Sequence, residues 1–335
     1  MDQCDTLDLT GNPKHPSQPQ RTYAHAQKMR AAMTHAFGRV GGLGNVQWQM
    51  RDGRCEGNPS VSSNVSSYMC SLRRRKVHAG EAATSARAIT SDILYQLYHH
   101  AHRTENWEIK EYQAGTRKGH GEVHDWAGGR TRRMLLAAYT IAYVCLLRFD
   151  EVLKIRVSDF EFFGDNRVKL TLPFRKTDQC SAIQPFFLHV LDEQEQHLCP
   201  VRALAEWIKV SGINDGYLFR KFFSGDRVSH ANEPITSELF LELFRNNLLD
   251  INIDPLPYGT HSFRRGGCQW LHMERRWPLR RICDWGGWST EFSHLTIVKY
   301  LISWNDANEP REFFFDPHRK PVQKCFQCGR SCMCA

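Results

Sequence analysis

At 335 residues the chain is long enough for two domains with separate cores, and its apolar share of 41% is that of an ordinary globular protein. Its 44 Lys+Arg exceed 36 Asp+Glu by 8, a moderately basic balance that suits a polyanionic partner without identifying one. No apolar run approaches the ~18 residues of a membrane-spanning helix and no signal peptide is found at the N-terminus, so a soluble intracellular protein is expected.

Residues 1–20, rich in Pro, Asp, Gln and Asn, read as a flexible tail. Apolar residues then recur at helical steps three times. Tyr23, Ala26, Met29, Met33 and Phe37 mark a helix over 21–37, followed by a break at Gly41, Gly42 and Gly44. Val61, Val65, Tyr68, Met69 and Leu72 mark a second over 60–75, capped by Asn58 or Ser60 with Pro59 in its first turn. Ile89, Ile93, Leu94, Leu97 and Tyr98 mark a third over 85–100. Together they predict a small all-helical domain over about 21–105. The run Arg73-Arg74-Arg75-Lys76 closes the second helix. It reads either as a solvated helix end complementing the helix dipole or as a phosphate-contacting or nuclear-targeting cluster.

Residues 106–133 are polar and aperiodic, a linker. Residues 134–147 are almost wholly apolar, which predicts a helix buried on all sides. It delivers Arg148 to the end of a buried element, where a cation is expensive unless paired, and Glu151 is the natural partner. Two short strands follow, 160–163 and 167–174, the second alternating with Val168, Leu170, Leu172 and Phe174 on one face. With a third over 184–190 they form a small antiparallel sheet that presents Arg175 and Lys176 at a hairpin tip. Helices resume over 200–210 and 237–249. Next come His261 and Arg264, three apart where a loop turns into a helix, so both can face one anion. Trp288 follows in a Gly-Gly-Trp-Ser turn, and Tyr300 opens a further helical run. The aromatic Phe313-Phe314-Phe315 reads as docked on the core or packed on a neighbouring subunit. The twelve cysteines are scattered apart from four in the last eleven residues, and without a secretory signal they read as reduced. None of Cys145, Cys199, Cys268 and Cys283 stands in a setting that marks a nucleophile. The tail over 319–335 holds Cys325, Cys328, Cys332 and Cys334, too close together for a tetrahedral zinc fold, and no metal is expected there.

Residues 146–159, Leu-Leu-Arg-Phe-Asp-Glu-Val-Leu-Lys-Ile-Arg-Val-Ser-Asp, resemble the first catalytic box of the tyrosine recombinase (phage integrase) family. His261-Ser262-Phe263-Arg264 is similar to its second box, Gly287-Trp288-Ser289 to its third, and Tyr300 stands where the family has its nucleophile. The resemblance covers about 21–305. The spacing, the Lys-Thr-Asp hairpin and the Trp are most similar to recombinases of eukaryotic Crypton-type mobile elements. It implies an α+β, mainly helical protein: a helical core-binding (SAM-like) domain over 21–105, then a mixed α/β catalytic domain with a small antiparallel sheet over 134–318. It implies a site-specific recombinase or integrase that cuts and rejoins double-stranded DNA through a 3′-phosphotyrosyl link, as a tetramer on two DNA sites, in the nucleus, without metal, ATP or other cofactor. A protein that keeps this fold and reads DNA without cutting it is the alternative.

By resemblance the roles are these. Arg148 and Arg264 clamp the scissile phosphate, as guanidinium forks match phosphate oxygens. Tyr300 attacks, His261 takes its proton, and Lys176 protonates the departing 5′-oxygen. Trp288 packs and hydrogen-bonds near the phosphate, and Glu151 holds Arg148. Arg73, Arg74, Arg75, Lys76, Arg175 and Arg265 are expected to contact DNA.

Overall fold

The computed structural model describes residues 2–8, 10–15, 17–18, 20–79, 81, 86–109, 126–164, 166–173, 183–223, 226–288 and 297–301. The chain forms an α+β, mainly helical fold divided into two compact units, Met1–Thr84 and Ser85–Ala335.

In the first unit, α1 (Tyr23–His35) starts where the Thr22 side chain accepts the His25 amide. A hairpin follows, β1 (Gln49–Arg51) and β2 (Arg54–Glu56), exposed along its length. Its turn places Asp52 and Gly53 at φ of 51° and 74°, the left-handed region that the Asp-Gly pair accommodates. Asn58 caps a single 3-10 turn, Pro59–Val61. The helix α2 (Ser63–His78) therefore begins later than its periodicity predicts, with Ser62 accepting the Val65 amide as its cap. Ala26, Met69, Leu72 and Cys4 make a small core. The basic run at the end of α2 is divided. Arg75 pairs with Asp5 at 2.6 Å, and Lys76, only 5% exposed, pairs with Glu81 at 3.3 Å. Both are turned into the unit by acidic partners, one 70 residues away and one five residues on, whereas Arg73 and Arg74 stay exposed.

The second unit begins earlier than expected. Helix α3 (Ser91–Ala101) belongs to it: Ile89, Leu94, Leu97 and Ala101 join its main core, and the Ile89 amide donates to the Ser262 carbonyl. The short α4 (Thr104–Trp107) follows. At the centre lies α5 (Gly129–Val144), buried almost throughout and packed against α3, α7 (Pro200–Ser211) and α9 (Ser262–Met273). It starts five residues before the expected apolar stretch, because the charges in its first turns are paired inside. Asp226 accepts the Arg130 and Thr131 amides, each at 2.8 Å, and Arg132 reaches Asp250 at 2.9 Å. After α5 comes the four-residue α6 (Phe149–Val152). The sheet β3 (Phe160–Phe163), β4 (Arg167–Leu170), β5 (Phe186–His189) is antiparallel in that order. Val168, Leu170 and Leu172 are buried, as the alternation predicts. A minor hairpin, β6 (Phe222–Phe223) and β7 (Arg227–Val228), precedes α8 (Ser237–Leu249), whose Thr236 cap sets the predicted start. Then come α9, α10 (Leu279–Gly286) and α11 (Val298–Leu301).

The packing of α9 against α5 and against the segment leading into α3 depends on a glycine pair. A Cβ on Gly267 would fall 2.0 Å from the Tyr143 carbonyl oxygen, and one on Gly266 would fall 1.8 Å from the Ile89 carbonyl oxygen. Only glycine lets backbone approach backbone this closely. Among the described residues, no helix is long and apolar enough to cross a membrane.

Candidate functional site

The site is assembled from the ends of α5, α9 and α10 together with α6 and α11. Arg148 emerges just beyond α5 and serves as the N-cap residue of α6. The Arg148 amide donates to Glu151 Oε2 at 2.9 Å, and its Nη1 donates to Oε1 at 3.3 Å. The same carboxylate accepts from Arg264 Nη1 at 3.4 Å. Glu151 is thus a bridge between two arginines 116 residues apart in sequence, a wider role than the expected support of Arg148 alone.

The two guanidiniums differ in environment. The Arg148 side chain is 22% exposed, whereas that of Arg264 is fully buried near the start of α9. A buried cation needs compensation. Besides Glu151, the Arg264 guanidinium lies 4.5 Å from the centre of the Trp288 ring and 5.3 Å from that of Tyr300, both distances at which a ring face attracts a cation. The Trp288 and Tyr300 rings stack on each other at 5.1 Å and 19°. Gly287, at φ 62°, ends α10 in the left-handed turn that swings Trp288 toward Arg264. Among the described residues the Trp288 indole Nε1 is buried without a hydrogen-bond partner. His261 sits 6.5 Å from Tyr300, ring centre to ring centre.

Arg148 lines two cavities. One, of about 400 Å³, has His261, Thr260, Ser237 and Asp150 in its walls. The other, of about 530 Å³, has Lys154, Arg156 and Tyr217. His261 opens to the first cavity but is crowded by protein elsewhere. That desolvation, and then the charges of Arg148, Arg264 and Arg265, hold its pKa below the usual imidazole value. The shift favours the neutral imidazole, the form able to accept a proton. Nearby Cys268 is no rival nucleophile, since burial pushes its thiol up to about 12.

The structure brings together Arg148, Glu151, His261, Arg264, Trp288 and Tyr300. Arg265, expected at a DNA surface, is instead buried at 7% exposure, because α9 presses its first turns into the core against α5. Arg175, Lys176, Ser289, the Phe313–Phe315 stretch and the Cys-rich tail lie outside the described residues. Pro173, just before residues 174–182, lines the larger cavity. Sequence reasoning passed over Lys154, Arg156 and Tyr217. The first two were visible as cations three and five residues after Glu151; the third joins them only through the fold.

No protein-family model matches the sequence. No curated protein matches it either. Solved structures do resemble the fold at low identity. The XerH site-specific recombinase bound to difH substrate, in a pre-cleavage complex, is 14% identical over 64% of this chain and 48% of that one, with a TM-score of 0.41. A post-cleavage complex of XerH on a palindromic difH substrate gives 13% identity, 67% and 50% coverage and a TM-score of 0.43. A lambda integrase(75-356) dimer bound to a COC′ core site gives 13% identity, 91% and 87% coverage and a TM-score of 0.41. The chain spans about half the length of the XerH chains it resembles.

Proposed function

We propose that this protein is a tyrosine-type DNA breaking-rejoining enzyme, a site-specific recombinase or integrase acting on double-stranded DNA. The observation that supports this reading is that Arg148 and Arg264 meet on one buried carboxylate, with the Trp288 and Tyr300 rings over Arg264 and His261 beside Tyr300. Each type has a use in attack on a phosphodiester. Negative charge grows on the non-bridging oxygens, and fixed cations in a water-poor site stabilise it most. Arg148, open to both cavities, engages the phosphate first. The Tyr300 ring rests over Arg264, so its movement toward phosphorus uncovers the second guanidinium as it delivers the phenol. The buried Trp288 N–H, short of an acceptor among the described residues, suits a phosphate oxygen.

In the proposed step the Tyr300 hydroxyl loses its proton to neutral His261, and its oxygen bonds to phosphorus. The bond from phosphorus to the 5′-oxygen breaks, and that oxygen takes a proton from Lys176 as general acid. The 3′-phosphotyrosyl link conserves the bond energy, and reversal with a different 5′-hydroxyl rejoins the strand. No metal or nucleotide cofactor takes part. We further assign the chain to Crypton-like mobile elements, and so to the nucleus, acting as a tetramer on two DNA sites. That assignment stands on the resemblance of the boxes.

Covalent capture tests the reading. A target selected from random duplexes is nicked beside the cleavage point so that the freed end diffuses away, then incubated with wild type and Tyr300→Phe. A denaturant-resistant protein–DNA adduct in wild type alone is the expected result. Tight DNA binding with no adduct from either protein would instead mark a chain that reads DNA without cutting it.

A further inference from the structure

We infer that the larger cavity beside Arg148 is a subsite for the DNA backbone, holding the phosphodiester next to the one that is cleaved; this inference rests on the proposed recombinase activity. Arg148 belongs to both cavities, so a sugar-phosphate chain held at Arg148 on the His261 side continues into the space bounded by Lys154, Arg156, Ser158 and Tyr217. At about 530 Å³ that space falls within the range that accommodates ligands of nucleotide size.

Its cations are available, and one of them is held in place. The Arg156 guanidinium lies over the Tyr217 ring at 4.7 Å and donates to the Tyr217 hydroxyl at 3.3 Å. Their backbones form an antiparallel bridge, flanked by hydrogen bonds from the Val157 amide to the Gly216 carbonyl and from the Leu218 amide to the Ile155 carbonyl, each 2.9 Å. An arginine fixed in this way loses little freedom when it binds an anion. Lys154 is exposed and, among the described residues, has no hydrogen-bond or ion-pair partner. The three carboxylates of the cavity each have an internal donor. Glu151 accepts from the two arginines, Asp159 from the Arg156 amide at 2.8 Å, and Asp150 from the Ser237 hydroxyl. Arg148, Lys154 and Arg156 equal these carboxylates in number, and among the described residues the side chains of Lys154 and Arg156 form no ion pair, so both can meet an anion, with the Arg156–Tyr217 pair as a platform for the sugar and base edge.

The test uses the full chain and a pool of short random-sequence duplexes, with affinity measured by anisotropy across a salt series. Wild type is compared with Lys154→Gln/Arg156→Gln, with Arg156→Lys, and with Lys209→Gln as a charge control at an exposed position of α7. Each phosphate contact contributes about 0.9 to the log–log salt slope. The double variant is therefore expected to lose between about 0.9 and 1.8 of slope, and to bind about tenfold or more weakly at moderate salt. Arg156→Lys should recover part of the slope, and Lys209→Gln should leave it unchanged. A merely structural role would lower the melting temperature and leave the slope alone. If wild type forms the covalent adduct but the double variant keeps the slope of the Lys209→Gln control, the subsite is refuted while the recombinase reading stands. If wild type shows neither salt-dependent binding nor adduct, both fall.

Discussion

Replacing Glu151 by Gln keeps the shape of the bridging side chain and removes its charge. Two guanidiniums lose their counter-charge, and they do so unequally. The Arg148 side chain is 22% exposed, so water screens its pair and that contribution is discounted to about 1 kcal/mol or less. The Arg264 side chain is fully buried, 3.4 Å from the carboxylate oxygen. At an effective dielectric of about 20 that separation corresponds to roughly 5 kcal/mol of attraction, part of which offsets the desolvation of both groups. Removing one partner of a buried pair typically costs about 3–5 kcal/mol. We expect Glu151→Gln to lose about 3 kcal/mol, or roughly 6–12 °C in the melting of the larger unit. Calorimetry and urea titration measure this directly. An anion occupying the site should replace the missing charge, so sulfate or duplex DNA should stabilise Glu151→Gln more than wild type. A loss below about 1 kcal/mol, or equal stabilisation of both proteins by the anion, would refute the reasoning that these arginines share Glu151 and face a phosphate site.

Four further outcomes are expected. His261, with a pKa held down by desolvation and by Arg148, Arg264 and Arg265, contributes little to pH dependence well above ~6.5, where folded and unfolded chains are both neutral. As pH falls through ~6.5 the unfolded chain binds the proton first, so stability declines until folded His261 also protonates. His261→Gln should flatten that part of the profile, and a folded-state NMR titration with a midpoint at or above ~6.5 would contradict it. Gly267→Ala should cost more than about 3 kcal/mol, since backbone faces backbone and cannot yield. Gly259→Ala, whose Cβ would sit 3.6 Å from Ala86 Cβ, should stay within about 1 kcal/mol of wild type by thermal melting. Asp226→Ala should cost about 2 kcal/mol and speed hydrogen exchange at the Arg130 and Thr131 amides, which it now accepts.

Local patterns carried much of this molecule. Helix α8 begins and ends as predicted because the Thr236 cap and the apolar period agree. The alternation of Val168, Leu170 and Leu172 identified the inner face of the sheet because one side is buried. Long-range pairing hid the rest. Arg132 and Arg133 read as linker residues, since their burial against Asp250 and Trp107 depends on chain that is distant or aperiodic. Arg75 looked like surface because Asp5 lies 70 residues away. The third helix was grouped with its sequence neighbours, whereas the hydrogen bond from the Ile89 amide to the Ser262 carbonyl ties its approach to the other unit. The Asp52-Gly53 turn was a legible hairpin signal and was overlooked. At the site, residue types and order identified the candidates. The double duty of Glu151 and the cover of two rings over Arg264 are products of tertiary packing.

The glycine pair of α9 has a consequence for tolerance to sequence drift. Arg264 stands three residues before Gly267, whose backbone meets the carbonyl of Tyr143; Arg148 stands five residues beyond that same Tyr143. Both cations are thus gauged from one datum, a contact of main chain on main chain with no side chain interposed. The contact from which both arginines are measured is made by Gly267, a residue with no side chain at all.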